Sequence, residues 1–362
     1  MRIMSVVGAR PNFMKIDPVI RNINKYPADF INILVHTGQH YDPKMSQIFF
    51  DELGMPLPDI NLEVGSGTHA YQTAEIMKRF ELVLLDYKPD WVIVPGDVNS
   101  TLACALVASK IGVPVAHLES GLRSFDRSMP EEINRILTDQ ISDMLLVPSV
   151  DAKANLLKEN ISEDKIYFVG NAMIDTLIRL LPLAKKRINH LLERFSITKN
   201  FVLCTLHRPS NVEDNKSLSE ILKSLNMLSQ NYDIIFPVHP RTRKAILESE
   251  MYQDKKNVHF IEPLGYLDFL SLQSNASLVI TDSGGVQEET TYLGIPCLTV
   301  RDNTERPITI SEGTNILVHA DASQITSIAL NKINNSLQGH SVPKYWDGCA
   351  GERIVNIFRG ML

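Results

Sequence analysis

The sequence predicts an α/β protein built of two Rossmann-like, doubly wound domains facing a cleft. Short, nearly continuous apolar runs alternate with helical stretches along almost all of the 362 residues. That is the pattern of parallel strands buried on both faces and joined by crossover helices. The rhythm occurs twice, on either side of a Leu- and Lys-rich helical stretch. The length also suits two domains at about 150 residues each.

In the first half, the runs Ile3–Val7, Ile31–His36, Trp91–Val94, Val115–Leu118, Met144–Val147 and Ile166–Val169 read as strands. Asn99–Ile111 and Glu131–Ser142 read as helices between them. The junction falls in Gly170 to Asn200, where Thr176–Phe195 reads as a long, Leu- and Lys-rich helical stretch connecting two sheets. In the second half, Phe201–Leu206, Ile234–Val238, Val258–Ile261, Leu278–Thr281 and Pro296–Val300 repeat the strand pattern. The expected domains are therefore residues 1–170 and 171–347, with a terminal helix in 348–362 packing back on the first domain.

Composition narrows the function classes. Hydrophobic residues at 44% against 22% charged describe a globular chain and exclude a disordered one. Lys+Arg 36 against Asp+Glu 42 leaves a net charge of −6, which argues against nucleic acid as a partner. The four cysteines, Cys104, Cys204, Cys297 and Cys349, are widely spaced and form neither a zinc motif nor a disulfide framework. No apolar run approaches the ~20 residues that span a bilayer. The N-terminal run meets Gly8 and Arg10 too early for a signal peptide, so a soluble cytoplasmic protein is expected.

Open α/β sheets bind ligands beyond the carboxyl ends of their strands, so the residues there carry the functional reading. The first strand ends in Gly8-Ala9-Arg10-Pro11, followed by a helix carrying Lys15. This is not the dinucleotide fingerprint GxGxxG. A glycine turn with Arg10 and Lys15 at a helix N-terminus suits an anion, and equally a plain turn with surface cations. Two further strands end in carboxylates, at Asp97 and Glu119, and Glu131-Glu132 follow Pro130. Asp97 is open to reading as the N-cap of the helix Asn99–Ile111, and Glu131 as an ordinary acidic helix start. Glu119 ends a buried strand and needs a partner or a ligand, with Arg123 the partner at hand. Three carboxylates converging on one cleft suit proton transfer at carbon, which needs a base on one side and an acid on the other.

In the second half, Asp282-Ser283-Gly284-Gly285 ends a strand and opens a helix. Glycines at such a turn let backbone N–H groups approach a phosphate, and an acid a few residues into the helix can reach ribose hydroxyls; a simple tight turn is the other reading. His207-Arg208 and His239, with Arg241 nearby, also follow strands, and Arg306 follows the strand ending at Val300. These cations suit anion binding; their spacing does not suit a metal.

GARPNFMK, TGQH, GDVNST, HLESGLR with PEEINR, LHRPSN, PVHP, TDSGGVQEE and RDNTERP occur in the order found in the non-hydrolysing UDP-N-acetylglucosamine 2-epimerases. The resemblance runs from Met1 to about Asn315, and the terminal helix also fits. It implies the two-domain GT-B fold of nucleotide-sugar glycosyltransferases and a reaction without metal or cofactor. UDP leaves C1 as a proton leaves C2, giving a 2-acetamidoglucal that recombines with UDP as UDP-N-acetylmannosamine, a precursor of surface polysaccharides. Carried over by matching motif, Asp97, Glu119 and Glu131 are the acid/base and sugar-handling carboxylates, and His207 stabilises departing UDP. Arg10 and Lys15 lie near the diphosphate or sugar, Ser283, Gly284 and Gly285 hold phosphates, and Glu289 holds the ribose. Arg306, Phe269 and His239 match nucleotide-site positions, though the helical spacing of Tyr266–Leu272 is equally consistent with Phe269 in the core. The resemblance also implies a homodimer.

The chain departs from that pattern in places. Relatives regulated by their own substrate follow Gln-His with Arg-Glu, where this chain has Tyr41-Asp42, so the pattern of a second substrate site is not met. Arg208-Pro209 stands for Arg-Arg, and Leu264 for a glutamine near the uracil. GDVNST and SFDRSMPEEINR resemble the branch that includes epimerases of UDP-2,3-diacetamido glucuronic acid. A hydrolysing epimerase, a glycosyltransferase and a non-catalytic nucleotide-sugar regulator are the other readings.

Overall fold

A computed structural model describes residues 1–38, 52–238, 242–244, 246, 257–335 and 341–362. The chain divides into two compact units, one of Met1–Arg179 with Lys344–Leu362 and the other of Leu180–Pro343.

The first unit carries seven strands, β1 (Arg2–Val7), β2 (Ile31–His36), β3 (Ile60–Asn61), β4 (Trp91–Pro95), β5 (Val115–Leu118), β6 (Met144–Val147) and β7 (Ile166–Phe168). They form one sheet in the order β3-β2-β1-β4-β5-β6-β7, parallel throughout. The chain steps outward from β1 to β3 and then returns to build on the other side, so the topological switch lies between β1 and β4. Their carboxyl ends deliver Gly8 and Gly96-Asp97. The helix Asn99–Ile111 follows β4 and buries Ala103, Cys104, Ala105 and Ala108, small side chains that let it lie close. Gly112, at φ +84°, ends it in a left-handed conformation that suits a residue without a Cβ.

The second unit has six strands, β8 (Phe201–Thr205), β9 (Asp233–Pro237), β10 (Val258–Ile261), β11 (Leu278–Thr281), β12 (Cys297–Val300) and β13 (Asn315–Val318). Their order is β10-β9-β8-β11-β12-β13, again parallel. Here the switch lies between β8 and β11, whose ends deliver His207 and Asp282-Ser283. One face of this sheet buries Leu218, Ile221 and Leu225 from the helix Asn215–Leu228 against Val202, Phe236 and Ile280. Both sheets are Rossmann-like. Among the described residues, no helix is long and apolar enough to cross a membrane.

The connecting stretch is helical and consists of two helices, Ala172–Lys185 and Ile188–Arg194. Pro182 lies inside the first, which spans the division between the units. The terminal helix Ala350–Arg359 packs on the helix Arg10–Ile23 of its own unit. A Cβ at Gly351 would sit 2.6 Å from the Pro18 carbonyl oxygen, so only glycine allows this approach. Asp175 fixes the start of that helix by accepting the Gly351 N–H at 2.8 Å.

Burial pushes the Asp175 carboxyl up to about 6, against the pull of the Gly351 and Ala350 amides. The folded protein therefore holds a proton that the unfolded chain releases near pH 4, so stability falls as pH rises from about 4 to about 6 and levels off above. A two-unit shift corresponds to at most about 3 kcal/mol. Asp175→Asn keeps an acceptor for Gly351 and is expected to remove this fall. Thermal unfolding at pH 4.5 and 7 checks it; an unchanged difference between the two values would refute the assignment.

Candidate active site

Each unit presents a set of polar side chains at its topological switch. In the first unit, the β1 turn is held by Asn12, whose side-chain oxygen accepts the Gly8 and Ala9 amides at 3.1 and 2.9 Å. The Asn12 amide donates to the Pro95 carbonyl at 3.0 Å, tying β1 to β4. A Cβ at Gly8 would meet Ser100 Oγ at 2.2 Å, so glycine is required there for close packing.

Lys15, one turn into the helix, forms an ion pair with Glu119 at the end of β5. The two residues are 5% and 7% exposed, so the charges are secured by each other and not by water. Glu119 sits at φ +71°, a left-handed conformation that strains a non-glycine residue by roughly 1–3 kcal/mol and clusters at functional sites. Gly96 brings this pair alongside the Gly96–Asp97 peptide. A Cβ there would lie 2.8 Å from Lys15 Nζ and 3.4 Å from Glu119 Oε2.

Asp97 pairs with Arg135, Nη1 to Oδ2 at 2.5 Å, and keeps 25% of its side chain exposed. It does not cap the following helix: the N-cap is Val98, which makes no side-chain cap bond. Arg135 is buried and also grips Glu132 at 2.7 Å, which in turn accepts the Ser124 and Phe125 amides. Arg123 is not the partner of Glu119. It bonds Asp139 at 2.7 Å and Glu159 at 2.6 Å. Glu131 stands exposed in the first turn of the helix Pro130–Ile141; its neighbour Glu132 is the buried one.

In the second unit, His207 Nδ1 lies 2.8 Å from the buried carboxylate of Asp282, while 61% of the imidazole side chain is exposed. Asp282 also accepts the His207 and Arg208 amides and the Asn211 side chain. Burial opposes its charge, yet the His207 hydrogen bond and charge and these amide donors hold its carboxyl below the usual range. A fixed carboxylate behind Nδ1 orients the ring and leaves Nε2 for a ligand.

Ser283 is the N-cap of the helix Gly284–Leu293 and makes no side-chain cap bond, and no acid stands in the first turn. The first N–H groups of a helix lack intrahelical partners, so this end suits an anion. Gly284 makes room for Arg306, since a Cβ would meet Arg306 Nη1 at 2.3 Å. Arg306 is buried and held by Glu305 at 2.5 Å and Glu288 at 3.0 Å, a packed wall behind the turn. Glu289 is buried and accepts the Tyr266 hydroxyl at 2.9 Å. Phe269 is half-buried against the cluster containing Leu191, Leu272 and Val286. Gly285 is the second residue of the helix and Arg10 opens the helix Arg10–Ile23. His239, Arg241 and the Gln39–Asp42 stretch lie outside the described residues, as does the side chain of Arg10.

Sequence reasoning did not single out Glu132, Arg135 or Asp282. Glu132 and Arg135 share a helix face at i, i+3, a spacing that signals a pair. Asp282 ends a buried strand just as Glu119 does.

The family model described as UDP-N-acetylglucosamine 2-epimerase matches residues 22–359 of this chain. A Methanocaldococcus jannaschii protein named UDP-N-acetylglucosamine 2-epimerase is 46% identical over 99% of this chain and 98% of its own. A Pseudomonas aeruginosa protein named UDP-2,3-diacetamido-2,3-dideoxy-D-glucuronate 2-epimerase is 42% identical over 98% of each. The crystal structure of the M. jannaschii UDP-GlcNAc 2-epimerase in complex with UDP-GlcNAc and UDP is also similar. It has a TM-score of 0.90 and 44% identity, covering 99% of this chain and 100% of that one.

Proposed function

Since the chain belongs to the UDP-N-acetylglucosamine 2-epimerase family, we propose that it interconverts UDP-N-acetylglucosamine and UDP-N-acetylmannosamine reversibly, as a non-hydrolysing isomerase. One observation carries the reading: a buried carboxylate, Glu119, and a partly exposed one, Asp97, end strands of one sheet, and an open helix N-terminus beside a carboxylate-oriented histidine ends strands of the other. A nucleotide-sugar diphosphate needs the second, and proton transfer at a sugar carbon needs the first.

In this mechanism the diphosphate of UDP rests on the first turn of the helix Gly284–Leu293, with Ser283 and Gly285 beside it and Glu289 toward the ribose. Asp97, Glu119 and Glu131 handle the protons. The C2–H bond breaks toward a carboxylate, and the C1–O bond breaks with its electron pair going to UDP. The result is a 2-acetamidoglucal with UDP still bound. His207, held by Asp282, faces the charge that grows on the leaving diphosphate. Return of UDP to C1, with a proton delivered to the other face of C2, completes the epimerisation. Lys15 and Arg10 bring positive charge to the diphosphate or sugar, and Arg306, Phe269 and His239 complete the nucleotide side.

We place the enzyme in the cytoplasm, where nucleotide sugars and reduced cysteines suit a chain with four unpaired cysteines. We also propose a homodimer. The state is the one the family resemblance implies.

The 42% identity to the diacetamido-glucuronate epimerase favours a second substrate reading, a UDP-sugar decorated at C3 and C6. Incubation with each nucleotide sugar, followed by phosphorus NMR, separates the cases. The expected result is UDP-N-acetylmannosamine with the UDP-sugar pool conserved. Accumulation of free UDP with N-acetylmannosamine would overturn the non-hydrolysing reading. Turnover of the diacetamido uronate alone would overturn the choice of substrate.

A further inference from the structure

His117 lies on β5, two residues before Glu119, and is wholly buried. Its Nδ1 is 2.6 Å from Asp139 Oδ1, and its Nε2 is 2.7 Å from the Gly96 carbonyl oxygen. A carbonyl oxygen only accepts. If Nε2 carried no hydrogen, two lone pairs would face each other in a water-free site, so Nε2 donates. The opposite ring nitrogen then faces a carboxylate. Asp139 Oδ2 is itself engaged by Arg123 Nη1 at 2.7 Å and accepts the Gly121 N–H at 3.1 Å. Two donors aimed at one carboxyl group favour its ionised form, which leaves Nδ1 to supply the remaining hydrogen.

We propose that His117 donates hydrogen bonds from both ring nitrogens as an imidazolium, held by Asp139 and Arg123, and that it positions the Gly96–Asp97 peptide for the proposed proton transfer. It acts through that peptide and touches no substrate.

Two further observations support the assignment. Asp139 has its carboxyl held below the usual range: burial works against the charge, and the charges and hydrogen bonds of His117 and Arg123 outweigh it. Finally, the Gly96 backbone is held through both of its polar groups. Its N–H donates to the Leu118 carbonyl at 2.9 Å while its oxygen accepts from His117. Gly96 itself holds φ +68°, and Lys15 and Glu119 crowd the space a side chain would take. A shift of this peptide therefore moves Asp97 relative to Glu119, and misplacement by about an ångström suffices for large losses in rate.

The test begins with the ligand-free wild-type protein, ¹⁵N-labelled at histidine, observed by long-range proton–nitrogen correlation at pH 8. One of the ten histidines is expected to show both ring nitrogens protonated, and Asp139→Asn is expected to convert that signal to a neutral ring. A wild-type spectrum with every histidine neutral at pH 8 overturns the proposal without any variant having to fold. For Asp139→Asn, kcat is expected to fall about ten- to a hundredfold, with KM and UDP affinity within about twofold and part of the loss restored in Asp139→Glu. A variant with a neutral His117 and an unchanged kcat also overturns it. The positioning role rests on the proposed epimerase chemistry, whereas the spectrum needs no substrate. Failure of the substrate assignment would leave the imidazolium signal in place.

Discussion

Asp97→Asn and Glu119→Gln are each expected to lower turnover by a factor of about a hundred or more while UDP affinity stays nearly intact. Both substitutions preserve shape and remove the ability to exchange a proton at neutral pH. Asp97 keeps a quarter of its side chain exposed beside a buried arginine, which leaves it accessible while holding it in place. Glu119 is the more enclosed of the two and is joined to Lys15. Its substitution leaves a buried ammonium without a counter-charge, so Lys15→Met with Glu119→Gln is the control for folding. UDP titration reports on the other unit and is the internal reference. Wild-type turnover in both single variants would remove them from the chemistry. Glu131→Gln is expected to lower turnover as well; a wild-type rate there would leave the work to the two strand-end carboxylates.

Gly284→Ala is expected to weaken UDP binding by one to two orders of magnitude, roughly the 1–3 kcal/mol of an overpacked site. The new methyl group would fall 2.3 Å from Arg306 Nη1 and 2.7 Å from Glu305 Oε1. Neither atom can withdraw freely, because Arg306 is buried between Glu305 and Glu288 and Glu305 is bonded in turn to Arg301. The first helical turn must shift instead, and its amides with it. Calorimetric titration with UDP reads the effect. Undiminished affinity would move the diphosphate away from this turn.

Most of what positions these groups was legible in the residues. Strands buried on both faces are almost continuously apolar, so Val115–Leu118, Met144–Val147 and Leu278–Thr281 stand out with their full bounds. The polar residues just beyond them then mark the strand ends. β3 was not legible because two residues carry no periodicity, and β13 because its four residues follow a run of polar and glycine positions. The break between Lys185 and Ile188 hides in a stretch whose composition is helical on both sides.

Pairings were harder to read than positions. Arg123 is near Glu119 in sequence, yet its side chain runs to Asp139 and Glu159, and Lys15 reaches Glu119 from 104 residues away. Only the order of strands β1, β4 and β5 in the sheet makes that second contact local. Asp97 had the spacing of a cap, but its side chain turns toward Arg135 on a helix that the strand order brings alongside.

The central claim is that a proton leaves and returns at C2 of the sugar. Proton NMR of the enzyme with UDP-N-acetylglucosamine in deuterated water, without added cofactor, tests it most directly. The account predicts UDP-N-acetylmannosamine carrying deuterium at C2, and deuterium appearing at C2 of the remaining substrate as the reaction reverses. An epimer that retains its original hydrogen at C2 would contradict it.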